Sequence, residues 1–89
     1  MYQLRLYLSG DTDRSKKAVK DLKALLEDKL KDQYFLQIIN ILDDPEKAED
    51  DSILATPTVV KRSPPPMRRV IGDLSKGESV LAKLGLMEL

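Results

Sequence analysis

The sequence predicts one α/β domain with elements in the order β-α-β-α-β-β-α. Three observations carry that prediction. Apolar residues alternate at the start of the chain (Tyr2, Leu4, Leu6, Leu8), the period of a half-buried strand. They then recur at steps of three and four through Ala18, Val19, Leu22, Leu25, Leu26 and Leu30, the stripe of an amphipathic helix. Between Ile53 and Ser75, Pro57, Pro64, Pro65 and Pro66 separate two short β-branched runs. Proline fixes φ and lacks a backbone donor, so these positions lie outside any helix interior or central strand.

Composition narrows the function classes. Eighty-nine residues make a single small domain, which buries only about two-thirds of its unfolded-chain surface. With 42% hydrophobic and 34% charged residues, the chain is an ordinary soluble globular one. A net charge of zero argues against nucleic acid or a membrane surface as the main partner. One Phe, three Tyr and no Trp leave few platforms for base stacking. The chain has no Cys, which excludes disulfides and thiol nucleophiles. It has no His, which removes the commonest metal ligand and general base. Neither a metal nor a cofactor is expected. No apolar run approaches the ~18–20 residues of a membrane helix. Met1-Tyr2-Gln3 has neither the positive flank nor the apolar stretch of a signal peptide, so a cytoplasmic protein is expected.

Taken in order, the first strand covers Tyr2 to Ser9, with one well-buried face. Gly10 to Asp13 breaks it, and Thr12 or Ser15 caps a helix from about Asp13 to Lys31. Phe35 to Leu42 is nearly continuous in apolar residues and predicts a strand covered on both faces. Strand, helix and strand together have the size of a right-handed βαβ unit. Asp44 as cap and Pro45 at the first helical position start a short helix to about Ser52, acidic enough to read as solvated. Thr58 to Arg62 and Met67 to Ile71 form an antiparallel pair across the Pro-Pro-Pro connection. Ser75 and Glu78 form a capping box for a last helix, and Gly85 stops it. Leu86, Met87 and Leu89 are placed to pack back onto the sheet.

This order resembles a thioredoxin-like domain, in which a cis-proline precedes the third strand, the place held here by Thr56-Pro57-Thr58. The redox chemistry of that fold needs Cys-x-x-Cys at the start of the first helix. Thr12-Asp13-Arg14-Ser15 stands there, so a thiol-disulfide oxidoreductase is excluded.

Longer strings carry a more specific resemblance. Ile53-Leu54-Ala55-Thr56-Pro57-Thr58, the run from Pro64 to Ser75 (PPPMRRVIGDLS), and Leu4-Arg5-Leu6-Tyr7-Leu8-Ser9-Gly10 followed by Thr12 and Ser15 closely resemble the KaiB family of circadian-clock proteins and their bacterial homologues. The resemblance covers nearly all of residues 1–89. It implies a non-enzymatic regulator that binds the N-terminal ATPase ring of a KaiC-type hexamer, captures KaiA and displaces a SasA-type histidine kinase. It also implies fold switching between a thioredoxin-like, partner-binding monomer and a tetramer with a rearranged second half. Pro57, Pro64, Pro65 and Pro66 match the prolines that accompany that switch. Lys83, Gly85 and Glu88 differ from the Gly, Asp and Tyr usual in clock members, and each favours the helical, thioredoxin-like alternative.

Candidate contact residues follow. Lys61, Arg62, Arg68 and Arg69 flank the Pro-Pro-Pro turn with no acid among them, a setting apt for carboxylates of a partner. Lys17 matches a basic residue of the family's first helix. Leu36 to Leu42, as a sheet edge, could accept an added strand; in the family KaiA docks there, and here Gln37 and Asn40 replace charges common in clock members. Two alternative functions accompany this reading: a KaiB homologue in stress adaptation outside a clock, and the thioredoxin-like sensor domain of a SasA-type kinase. An enzyme would need carboxylate or lysine chemistry, and no paired arrangement of such groups stands out.

Overall fold

In a computed structural model, which describes residues 1–86, the predicted order appears as β1 (Tyr2–Leu8), α1 (Asp13–Lys29), β2 (Tyr34–Asn40), α2 (Pro45–Asp50), β3 (Thr58–Ser63), β4 (Arg68–Ile71) and α3 (Gly77–Leu84). The four strands form one sheet in the order β2-β1-β3-β4. β1 runs parallel to β2 and antiparallel to β3, and β3 pairs antiparallel with β4.

The even residues of β1 make the main core. Leu4, Leu6 and Leu8 pack with Ala18, Leu22, Leu26 and Leu30 from α1 and its end, Val59 and Val70 from the hairpin, and Val80 and Leu84 from α3. Thr12 is the cap of α1: its hydroxyl oxygen accepts the Ser15 N–H at 3.1 Å. The helix ends at Lys29, with Leu30 as its C-cap, two residues before the predicted Lys31. Lys31 has φ of 53°, a left-handed backbone that cannot continue the helix.

The opposite face carries a second, smaller cluster of Tyr7, Ile39 and Val60, closed over by Ile41, Ala48 and Ile53. β1 is therefore covered on both faces around Tyr7, where the alternation predicts one buried face. The converse holds for β2, expected to be covered on both. It is an edge strand, with Phe35 60% and Ile38 42% exposed. Strand order puts β2 at the edge, and on the face that carries Phe35 the size of α2 adds to the exposure, whereas Ile38 shares the opposite face with Leu6. Six residues span about 9 Å, less than half of a seven-residue strand at ~3.3 Å per residue.

Two predicted caps are not formed. Ser75 does not cap α3, whose N-cap is Lys76 without a side-chain bond. Asp73, two residues earlier, accepts both the Ser75 N–H (2.9 Å) and its hydroxyl (2.6 Å), so a local Asx turn occupies the N–H that Glu78 would accept in a capping box. Asp44 makes no side-chain cap bond and instead pairs with Lys47 at 3.3 Å. Pro45 does begin α2. Leu86 packs against the main core; Met87, Glu88 and Leu89 lie outside the described residues.

Gly85 ends α3 at φ 72°, the left-handed cap, and a Cβ there would lie 3.3 Å from Arg68 Nε. Replacing it strains the backbone and pushes on that side chain. Gly85→Ala should lower the unfolding free energy by roughly 1–2 kcal/mol, read as a shift of the urea midpoint at unchanged slope.

Candidate functional site

The basic residues around the proline turn do not form one cluster. In an antiparallel pair, residues directly opposite share a face, and neighbours along a strand alternate. Lys61 pairs with Arg68, and Val60 with Arg69. Lys61 and Arg68 thus lie on the face of α1 and α3, close to the Gly85 backbone. Arg69 leaves from the other face, where its Nη1 donates to the Ser52 carbonyl at 3.1 Å. Arg68 is exposed. Lys61 is only 4% exposed, which corrects its placement as a freely presented contact: strand alternation turns it toward the covered side of the sheet, against the C-terminal end of α3.

Arg62 is placed by a bulge. Gln3 pairs with Ser63 and Leu4 with Lys61, which leaves Arg62 as the extra residue on β3. Its side chain, about a third exposed, brings Nε within 3.6 Å of Asp51 Oδ1. Lys17 lies apart from all of these, on α1, paired with Asp21 at 2.6 Å. The bond and charge of Asp21 hold its ammonium above the ordinary lysine value.

The Thr56–Pro57, Ser63–Pro64 and Pro65–Pro66 peptide bonds are cis; the bond into Pro65 is not among them. Pro57 is buried, whereas Pro64, Pro65 and Pro66 are exposed at the hairpin tip. Beside Pro57, Thr12, Arg14 and Ser15 line an open hollow of about 220 Å³. This is where a thiol pair of a redox protein of this fold would sit, and the hydroxyls of Thr12 and Ser15 there bond each other at 3.1 Å. Among the described residues, no three His, Cys, Asp or Glu side chains gather as metal ligands.

The centre that sequence reading missed is Asp51. The acidic run around it reads as solvated, yet Asp51 is 2% exposed. It stands just past α2, where the chain turns through Ser52 at φ 55° and delivers its carboxylate onto the sheet. Three side chains meet it there. Arg5 Nη1 lies 3.2 Å from Oδ2, Arg62 Nε 3.6 Å from Oδ1, and the Tyr7 hydroxyl donates to Oδ2. The Lys47 carbonyl is also 3.0 Å from the Tyr7 oxygen. One O–H points to one acceptor at a time, and the charged carboxylate is the stronger. Burial, then the bond to Asp51, push the Tyr7 phenol above its ordinary value, against the opposing pull of Arg5. The Arg5 guanidinium is held above its own ordinary value: burial opposes its charge, but Tyr7 and Asp51 outweigh that.

Asp51 thereby ties α2 to β1 and β3. Truncating a buried partner strands the charges around it, so Asp51→Ala should cost about 3–5 kcal/mol of stability. Arg62→Ala removes a longer, more exposed pair and should cost at most about 1 kcal/mol. Urea unfolding of the two variants checks the contrast; equal losses would contradict it.

Among the described residues, two strand edges are left uncovered: β2, with Phe35 60% and Ile38 42% exposed, and β4, with Ile71 and the preceding Met67 exposed. On β2, Gln37 and Asn40 serve the fold. Gln37 Oε1 accepts from Arg5 Nε at 3.3 Å, and Asn40 Oδ1 accepts the backbone N–H groups of Gly10 and Leu42.

Comparison with known proteins gives a consistent set of likenesses. A family model described as the KaiB domain matches residues 5–86. The curated circadian clock oscillator protein KaiB of Rippkaea orientalis is 51% identical over 86 residues, which span 97% of this chain and 83% of that protein. Its counterpart from Prochlorococcus marinus subsp. pastoris is 50% identical, over 97% of this chain and 80% of that one. Among solved structures, the N-terminal domain of Synechococcus elongatus SasA superimposes with a TM-score of 0.77 at 25% identity, covering 98% of this chain and 86% of that domain. The Drosophila thioredoxin Deadhead does so with a TM-score of 0.72 at 19% identity, over 93% and 80% of the two chains, a likeness of fold alone.

Proposed function

The chain belongs to the KaiB family, and from that premise we propose that it is a non-enzymatic clock regulator that binds the N-terminal ATPase ring of a KaiC-type hexamer. The observation that carries this reading is the identity of half its residues with curated clock oscillator proteins across almost the whole chain. Binding modulates the phosphorylation cycle of the hexamer and recruits KaiA or displaces a SasA-type kinase. The fold shared with the SasA N-terminal domain supports such competition, because two proteins with one fold can present like surfaces to one partner. The much lower identity to that domain favours a KaiB-type regulator over a kinase sensor domain.

The acting form is the thioredoxin-like monomer, at work in the cytoplasm. Arg68 and Arg69 flank the exposed proline tip and leave the β4 edge in opposite directions. A partner that wraps this edge can meet both with carboxylates, where a guanidinium fork gives bidentate, geometrically specific pairing. Arg62 and Lys17 are secondary contacts, since each already faces an acid of its own chain. The β2 edge takes an added strand of KaiA. The family's alternative is a tetramer with a rearranged second half.

Gel filtration with light scattering tests the reading. This protein mixed with a KaiC-type hexamer and ATP should co-elute as a ring complex, and Arg68→Ala combined with Arg69→Ala should weaken co-elution by at least about tenfold, as expected for lost charge-assisted pairs. An undiminished double variant would move the contact away from β4. No co-elution of the unaltered protein would overturn the KaiC role and favour the homologue outside a clock.

A further inference from the structure

The six-residue α2 covers the sheet around Tyr7 and leaves the same face open beyond it. There, one step along the strands, lies a groove of about 390 Å³ lined by Gln3, Arg5, Phe35, Gln37, Arg62 and Ser63. The register explains the gathering. Gln3 is opposite Phe35 on β2 and Ser63 on β3, Arg5 is opposite Gln37, and the bulge adds Arg62. The volume falls in the ~300–1,000 Å³ range of small-molecule sites.

The chemistry of this lining is one-sided. Two guanidiniums face one carboxylate, Asp51, which sits behind them at 1% side-chain exposure. The groove is left with one excess positive charge, and among the described residues no acid lines it. Arginine has five N–H donors in a fixed fork. Arg5 spends Nε on Gln37 and Nη1 on Tyr7 and Asp51; Arg62 spends Nε on Asp51. The remaining guanidinium donors are those a tetrahedral oxyanion would take in bidentate fashion. Gln37 accepts through Oε1, so its amide N–H groups are left to donate, and Gln3 and Ser63 add neutral polar groups. At the far rim Phe35 is 60% exposed, a flat apolar surface beside two cations.

We propose that this groove binds a phosphomonoester that carries a flat ring, of the nucleoside monophosphate class. The phosphate, with about −1.5 to −2 charges, sits on the outward donors of Arg5 and Arg62 and is steadied by Ser63 and Gln37. The ring lies on Phe35, where stacking tolerates any base because each presents a π-face. Arg62 is the residue the ligand depends on most, since Arg5 is also committed to holding Asp51. Asp51 positions both guanidiniums from behind.

Titration of the ¹⁵N-labelled full chain with adenosine monophosphate, inorganic phosphate and adenosine, followed by amide shifts, tests this. Adenosine monophosphate should give saturable shifts confined to residues 3–5, 35–37 and 62–63, at a millimolar or tighter Kd. Inorganic phosphate should shift the 62–63 and 5 amides with weaker affinity, and adenosine should bind at least about tenfold more weakly than its monophosphate. Arg62→Gln should weaken both phosphorylated probes about tenfold or more, whereas Phe35→Ala should weaken the nucleotide alone. Both sites are solvent-exposed, and preserved peak dispersion shows that the variants fold. The proposal is overturned by an absence of shifts, by shifts centred on another surface, by adenosine binding as tightly as its monophosphate, or by Phe35→Ala leaving the nucleotide affinity unchanged.

Discussion

The buried Asp51 carboxylate is the interaction on which the placement of the second half depends. A carboxylate taken out of water is costly unless it is paired and hydrogen-bonded. Here Arg5, Tyr7 and Arg62 meet that demand from two different strands. The position of α2, the turn through Ser52 and the start of the segment leading to Pro57 follow from where this carboxylate must sit. The apolar cluster beside it, Tyr7, Ile39 and Val60 under Ala48 and Ile53, is small. The polar contact therefore supplies much of the specificity on this face. The other face rests on a larger apolar core and needs no such device.

This division shapes what the protein offers to others. The helices α1 and α3 close one face, and α2 closes only part of the second. Uncovered are the β2 edge, the β4 edge with its proline tip, and the basic groove beyond α2. The site where a thioredoxin would carry its thiols holds hydroxyls that bond each other. The likeness is therefore one of fold and not of thiol chemistry, in line with the rule that function resides in sites and not in folds.

Much of this was readable from the chain because its signals are local. The alternation of Tyr2 to Leu8, the stripe from Ala18 to Leu30, the cap at Thr12 and the stop at Gly85 each concern a few neighbouring residues, and each gives its element where the sequence places it, although β1 is also covered on its Tyr7 face. The failures are contests between neighbours or effects of distant partners. Ser75 loses its capping role to Asp73. β2 is open because it ends the sheet and because α2 is too short to cover its Phe35 face. Lys61 is buried because strand alternation and one bulged residue decide which charges share a face, and no composition reports a register. Asp51 resembles its solvated neighbours Glu49 and Asp50 in every local respect. Only its meeting with Arg5, 46 residues away in sequence, sets it apart.

On the function proposed above, the arrangement fixed by Asp51 is the one in which the protein rests and meets its partner. Backbone chemical shifts of the labelled protein, free and bound to a KaiC-type ring, test it most directly. Helical shifts at residues 77–84 and extended shifts at 58–63 and 68–71 are expected in both states. Strand-like shifts at residues 77–84, free or bound, would contradict it.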